Sequence, residues 1–207
     1  MKVAIVNYGM GNLGSVRRAF EDLGAQPFVA SHPAALFDSQ RVVLPGVGAF
    51  PDAMKRLNDE GWTDVLRKLV REEKKPLLGI CLGMQLLAER GTEVSEVEGL
   101  GLVHGTIRRL DELGCRERIP HVGWNELELV ADDPLFAHIP QRSDFYFVHS
   151  FAYDAGGKKA TTGTTDYGVP LVASVREGNC WGTQFHPEKS SKAGRQVLRN
   201  FLEVKPC

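Results

Sequence analysis

Apolar residues recur at two different spacings along this chain, and the change between them predicts the order of elements. Lys2 to Asn7, Pro27 to Ala30, Arg41 to Leu44 and Pro76 to Ile80 contain short, nearly unbroken apolar runs bounded by glycine, proline or polar residues. Runs of this kind suit strands buried on both faces of a parallel sheet. Helical spacing lies between them, from about Leu13 to Leu23 with Gly24 as its stop, from Asp52 to Asn58, and from Trp62 to Glu73 before Pro76. Lys74 and Lys75 follow that last helix, where cations suit its dipole. A further helical pattern runs from Leu82 to about Arg90.

After Gly91 the spacing changes. Gly99 to Asp111 is apolar and broken by turn glycines, and Trp124 to Leu129 alternates as a half-exposed strand does. Phe145 to Val148 is a dense aromatic strand ending at His149-Ser150-Phe151, and Asp154 to Lys159 is a polar turn. Ala160 to Thr165, Val169 to Arg176 and Cys180 to Phe185 read as strands of an antiparallel arrangement, and Ser190 to Leu202 as a closing helix. The first half is therefore βαβα and the second half strand-rich. No repeat, low-complexity stretch or linker divides them. The expected fold is one α/β domain over residues 1–207, three-layered, with a mixed, largely parallel central sheet and added antiparallel strands in the second half.

Composition narrows the function classes. The 207 residues are 43 % hydrophobic and 25 % charged, with a formal net charge of −1. Such a balance gives no field directed at nucleic acid or an anionic membrane. No apolar run is long enough to span a bilayer, and Met1 to Val6 reads as a strand rather than a signal peptide. The four cysteines, Cys81, Cys115, Cys180 and Cys207, are far apart with no C-x-x-C pair. They suit neither a disulfide framework nor a metal site, so reduced thiols and a cytoplasmic location are expected, with no metal and no cofactor.

Two glycine-rich turns compete for attention. Gly9-Met10-Gly11-Asn12-Leu13-Gly14 follows the first strand and has the G-x-G-x-x-G form of a dinucleotide site. That site needs an acidic residue at the end of the second strand, and Ser31-His32-Pro33 stands there instead. A tight turn exposing backbone near a site is the better reading. Gly79-Ile80-Cys81-Leu82-Gly83 lies where a buried strand becomes a helix, the form of a nucleophile elbow with cysteine as the reactive residue. Peptide N–H groups at the start of the helix would favour a thiolate. Alone, the same five residues also describe a buried cysteine beside two packing glycines.

The end of the chain decides between these. A cysteine nucleophile needs a base, and the base an orienting group. Gln184-Phe185-His186-Pro187-Glu188-Lys189 supplies both, with Pro187 biasing His186 towards an extended backbone so that His186 and Glu188 point the same way. His32, His104, His121 and His138 lack an acidic partner at useful spacing and read as surface or satisfied core residues. His149 ends the aromatic strand, where it could line a site. An oxyanion formed on Cys81 would take one donor from Leu82 N–H. Pro45-Gly46-Val47-Gly48, at the end of a neighbouring strand, is the source of a second.

Taken together, Pro45 to Gly48, Gly79 to Gln85, Tyr146 to Ser150 and Gln184 to Lys189 resemble the class I glutamine amidotransferases. Asn7 to Asn12 and Pro120 to Asn125 narrow the resemblance to the glutaminase (HisH) subunit family of imidazole glycerol phosphate synthase. The resemblance covers nearly the whole chain in order. It implies Cys81, His186 and Glu188 as catalytic residues and the N–H groups of Val47 and Leu82 as the oxyanion site. Gly46, Gly48, Gln85, His149, Ser150 and Phe151 would line the glutamine pocket. It also implies a heterodimer with a (β/α)₈ cyclase subunit, HisF, which receives ammonia through a tunnel. Asn12, Trp124 and Lys189 match positions at that interface and ammonia gate, although Trp124 also suits core or rim packing. Phe151 departs from the tyrosine common in relatives, which removes a hydroxyl and keeps the aromatic surface. Two other readings stay open at this point: a glutaminase serving another acceptor, and a non-catalytic module carrying a cysteine.

Overall fold

A computed structural model describes residues 1–156 and 160–206. Gly157, Lys158, Lys159 and Cys207 lie outside the described residues, and with them part of the expected polar turn and the reading of Cys207. The first half contains β1 (Lys2–Val6), α1 (Leu13–Glu21), β2 (Gln26–Ala30), β3 (Arg41–Gly46), α2 (Phe50–Asp59), α3 (Trp62–Arg71), β4 (Leu77–Cys81) and α4 (Leu82–Leu86). The second half contains β5 (Arg90–Gly91), β6 (Val97–Glu98), β7 (Thr106–Arg109), β8 (His121–Leu129), β9 (Ser143–His149), β10 (Phe151–Asp154), β11 (Thr161–Asp166), β12 (Pro170–Glu177), β13 (Cys180–Thr183) and α5 (Ser191–Glu203).

Five strands in the order β2-β1-β3-β4-β13 are parallel and form the middle of the molecule. The period of two along these strands divides the core. Val3, Ile5, Val43, Leu78, Ile80 and Trp181 face Val16 and Phe20 of α1 and Val197, Leu198 and Phe201 of α5. Ala4, Val6, Val42, Leu44 and Leu77 face the other way, onto Met54, Leu57, Trp62, Leu66 and Leu69 of α2 and α3. Helices thus cover both faces, which is why these strands carry almost no polar residue. Beyond β13 the sheet continues antiparallel through β12, β10 and β7, with β11, β8 and β9 branching from β12.

Three expectations are corrected. The Cys180 to Phe185 segment is not purely antiparallel: β13 pairs antiparallel with β12 and parallel with β4, joining the two halves of the sheet. The helix after the elbow ends at Leu86 rather than near Arg90. The carbonyls of Leu86, Leu87 and Ala88 accept from the N–H groups of Leu100, Leu102 and Gly101 at 2.8–2.9 Å, so a loop takes the acceptors that another helical turn would use. Lys75 serves a different helix end from the one expected: its ammonium donates to the carbonyls of Leu36 (3.0 Å) and Phe37 (3.2 Å), in the last turn of the 3-10 helix Pro33–Asp38. No helix among the described residues is long and apolar enough to cross a membrane.

Candidate active site

The turn from β4 to α4 places Cys81 at the carboxyl edge of the parallel strands, where ligands bind in open α/β sheets. Its backbone has φ 54° and ψ −113°, a left-handed conformation unfavourable for a residue with a Cβ. Tight packing on both sides holds it there. A Cβ on Gly83 would fall on the Leu44 carbonyl oxygen, and one on Gly79 would lie 2.5 Å from the Gly83 carbonyl oxygen. Both glycines are therefore required by the close approach of α4 to β3 and β4. α4 has only five residues, so its dipole is small and the local N–H groups at the turn matter more.

Cys81 opens into a cavity of ≈ 350 Å³, lined also by Val47, Gly48, Leu82, Gln85, His149, Ser150, Phe151 and His186. Almost the entire pocket set expected from the sequence meets there. Gly46 does not line it. Gly46 ends β3 opposite Cys81 and borders a small gap behind the site, together with Asn12, Val47, His186 and Glu188. Val47 is 46 % exposed at the mouth, and Gly48 has φ 108°, so this loop carries the backbone freedom a movable N–H donor needs.

His186 Nδ1 lies 2.8 Å from Glu188 Oε1, with both side chains buried. The juxtaposition arises differently from the expected extended pair. Residues Pro187–Lys189 form a 3-10 turn, held by Ser190 Oγ donating to the His186 carbonyl at 2.6 Å. The turn, not strand alternation, swings Glu188 back under the imidazole. With Nδ1 occupied, the buried Nε2 has no hydrogen-bond partner among the described residues and is the nitrogen left for Cys81. Burial pulls the His186 pKa down, but Cys81 and Glu188 outweigh it and hold the ring up to about 9.

A polar chain that local sequence spacing does not reveal supports the sulfur. Gln184 Nε2 lies 3.8 Å from Cys81 Sγ, and Gln184 Oε1 accepts from Gln85 Nε2 at 3.0 Å. Gln85 Nε2 also donates to the Phe151 carbonyl at 3.0 Å, which His149 Nδ1 meets at 2.9 Å. Phe151 thus contributes through its backbone, and the missing tyrosine hydroxyl leaves that bond untouched. His121, read from sequence as a surface or core histidine, is buried beside His149, with His121 Nδ1 3.0 Å from His149 Nε2. Glu93 also lines the cavity, and its carboxylate accepts from Phe50 N–H at 2.8 Å, capping α2. Local spacing carried no signal for these contacts of Gln184, His121 and Glu93, because the partners lie 28 to 103 positions away in the chain.

Outside the cavity, Trp124 and Tyr146 pair across β8 and β9 with ring centroids 6.0 Å apart, and Lys189 Nζ stands 5.8 Å over the Tyr146 ring. Trp124 is 53 % exposed, so the core alternative for it fails. Val122 and Val148, paired on the same two strands, are exposed as well. Asn12 is the N-cap of α1, its Oδ1 accepting from Ser15 N–H at 3.4 Å. The dinucleotide-like turn around Gly9 and Gly11 packs on the Val47 loop, with the Met10 methyl against Gly48.

Comparison with known proteins gives a consistent result. The family model described as glutamine amidotransferase class-I matches residues 4–204. The chain is 46 % identical over 202 residues to the imidazole glycerol phosphate synthase subunit HisH 1 of Campylobacter jejuni, covering 98 % of this chain and 100 % of that protein. It is 45 % identical to the HisH subunit of Moorella thermoacetica, covering 98 % and 94 %. Among solved structures, PurLQS from Thermotoga maritima aligns with a TM-score of 0.78 at 20 % identity, over 98 % of this chain and 97 % of that chain. At that identity the structural likeness speaks for the fold.

Proposed function

This chain belongs to the glutamine amidotransferase class-I family, among the HisH subunits, and we propose on that premise that Cys81, His186 and Glu188 form its catalytic triad. The reaction is hydrolysis of L-glutamine to glutamate and ammonia. The ammonia passes to a cyclase subunit of the HisF type, which makes imidazole glycerol phosphate and an aminoimidazole carboxamide ribotide in histidine biosynthesis. One observation carries the reading. A cysteine strained into an elbow shares a cavity with a buried imidazole whose far nitrogen is held by a carboxylate.

The steps follow from those positions. The Cys81 sulfur attacks the carboxamide carbon, and the carbonyl electron pair moves onto oxygen. The N–H groups of Leu82 and Val47 receive that oxyanion. As the C–N bond breaks, the His186 imidazolium gives its proton to the leaving nitrogen, producing ammonia and a Cys81 thioester. Neutral His186 then takes a proton from water, which attacks the thioester and releases glutamate. Glu188 keeps the His186 ring oriented throughout. Glu93 offers a carboxylate to the substrate α-ammonium, while His149, Ser150, Phe151 and Gln85 form the wall along the rest of the molecule.

The exposed Val122, Trp124 and Val148, with the half-buried Tyr146 under Lys189, support a partner face adjoining the cavity mouth at Val47. Asn12 and Trp124 would close the ammonia route there. Glutaminase assays of the chain alone and with a cyclase partner test the whole reading. The expected outcome is weak activity alone and a strong rise with the partner, with Cys81 labelled by a glutamine-like electrophile. No activity in either condition and an unreactive Cys81 would leave the non-catalytic module instead.

A further inference from the structure

His121 sits in a slot between two rings, with Phe147 stacked at 4.9 Å and Tyr167 at 4.1 Å between centroids. Its Nε2 is 3.3 Å from Asn125 Nδ2 and its Nδ1 is 3.0 Å from His149 Nε2. Groups that act in only one sense bound this chain at both ends, and they fix every proton in it. Asn125 Oδ1 accepts from Glu126 N–H at 2.8 Å and Nδ2 donates to the Asp166 carbonyl at 2.7 Å, which sets the amide orientation. The second Nδ2 hydrogen then faces His121 Nε2, so that nitrogen is bare and accepts. His121 carries its proton on Nδ1 and donates it to His149 Nε2. His149 in turn carries its proton on Nδ1 and donates to the Phe151 carbonyl at 2.9 Å. Starting from the Phe151 carbonyl, which can only accept, gives the same assignment.

We propose that His121 and Asn125 are positioning residues that lock His149 as the neutral Nδ1–H tautomer and so fix the Phe151 carbonyl on the wall of the Cys81 cavity. A second proton on either ring would set N–H against N–H. Burial holds His149 down to about 3 and His121 down to about 4, so both rings stay neutral near pH 7. The titratable groups facing the pair are Tyr167 on His121 and His186 near His149. The Phe151 carbonyl is shared with Gln85, whose amide continues through Gln184 to Cys81 Sγ. His149 therefore steadies the wall and the amide pair next to the sulfur together. The consequence for glutamine rests on the glutaminase reading above; the tautomer assignment does not.

The test uses the full chain with ¹⁵N-labelled histidine. In the wild type, both His121 and His149 should show the Nδ1–H pattern, with a coupling across the bond between His121 Nδ1 and His149 Nε2. His121→Phe keeps the stacking and removes the donor. With the cyclase partner present, KM for glutamine should rise about tenfold, the worth of about one hydrogen bond, with kcat changed much less. His121→Asn restores an N–H donor near the position of Nδ1 and should recover most of the loss. Asn125→Asp replaces the donor facing His121 Nε2 with an acceptor. It should draw the His121 proton to Nε2 and raise KM in the same direction, which keeps the test open if His121→Phe does not fold. An Nε2–H proton on either histidine in the wild type would overturn the proposal. So would an unchanged KM in His121→Phe and Asn125→Asp. A wild type with the assigned tautomers but no glutaminase activity would leave the hydrogen-bond chain standing and remove the functional reading.

Discussion

Glu188 Oε1 lies 2.8 Å from His186 Nδ1 across a single proline, and both side chains are closed off from solvent. Cys81 and this carboxylate together keep the buried imidazole charged against the pull of burial. In the proposed mechanism His186 is the acid for the leaving nitrogen, and the same pairing makes it an alkaline-sensitive element of the fold.

The first prediction concerns pH. Burial lowers the His186 pKa, and Cys81 and Glu188 raise it further in the opposite sense, to about 9. The glutaminase rate should therefore hold through neutral pH and fall on an alkaline limb near pH 9. Glu188→Gln removes one raising partner and lets burial act, so the limb should move to lower pH as kcat drops. Stability has the same sign. A pKa raised above its unfolded value near 6.5 stabilises the fold fully below that pH. That contribution is lost as pH rises through 9, and denaturation midpoints of wild type and Glu188→Gln against pH would show it.

Cys81 offers a separation of chemistry from strain. Cys81→Ala should abolish glutamine-dependent synthesis by the complex and leave synthesis from added ammonia intact. Cys81→Gly should be equally inactive yet more stable than Cys81→Ala by about 1 kcal/mol, because glycine adopts a positive φ without a Cβ penalty. Urea denaturation of the two variants reads the difference. Equal stability would mean that the elbow backbone relaxes when the sulfur is removed.

The elbow also predicts a strict packing limit. Gly83→Ala puts a methyl group onto the Leu44 carbonyl oxygen, where only backbone movement could make room. Overpacking of a rigid contact of this kind should cost about 3 kcal/mol or more. A lowered denaturation midpoint, with loss of glutaminase activity even below that midpoint, is the expected result.

The exposed indole gives the opposite pattern. Trp124 is 53 % exposed and touches mainly Tyr146, so Trp124→Ala should alter stability by no more than about 0.5 kcal/mol. If its face docks the cyclase, the dissociation constant of the complex should rise about tenfold or more, as truncating a central interface aromatic does. Titration calorimetry with the partner would measure it, and an unchanged constant would move the interface elsewhere.

Arg41 provides a control remote from the site. Its guanidinium donates to the carbonyls of Phe201, Leu202 and Val204 at the end of α5. Arg41→Met should lower stability by about 2 kcal/mol through the stranded carbonyls, with glutaminase kcat unchanged at temperatures where the fold persists.

Much of this protein was legible before its structure. The alternation of short apolar runs with helical spacing marked β1, β3, β4 and the helices between them, because burial on both faces leaves a strand no polar position. The elbow at Cys81 was legible because it is a local backbone device written in five adjacent residues, and the His186–Glu188 pair because the two residues stand two positions apart. The end of α4 was not, since its last carbonyls are taken by a loop that begins at Gly99. Nor was the placement of Glu188, which depends on a 3-10 turn rather than on strand alternation.

Sequence by itself determined which residues could do chemistry: a strained cysteine, a histidine with a carboxylate nearby, and a glycine-rich loop with a free backbone. Tertiary structure alone decided what surrounds them. Gln184 meets Cys81 across 103 positions, Gln85 meets Phe151 across 66, and His121 meets His149 across 28. Local periodicity carries no record of such pairs. They form because β13 docks parallel to β4 and β8 pairs with β9, and only that sheet closure excludes the water these polar groups would otherwise bind.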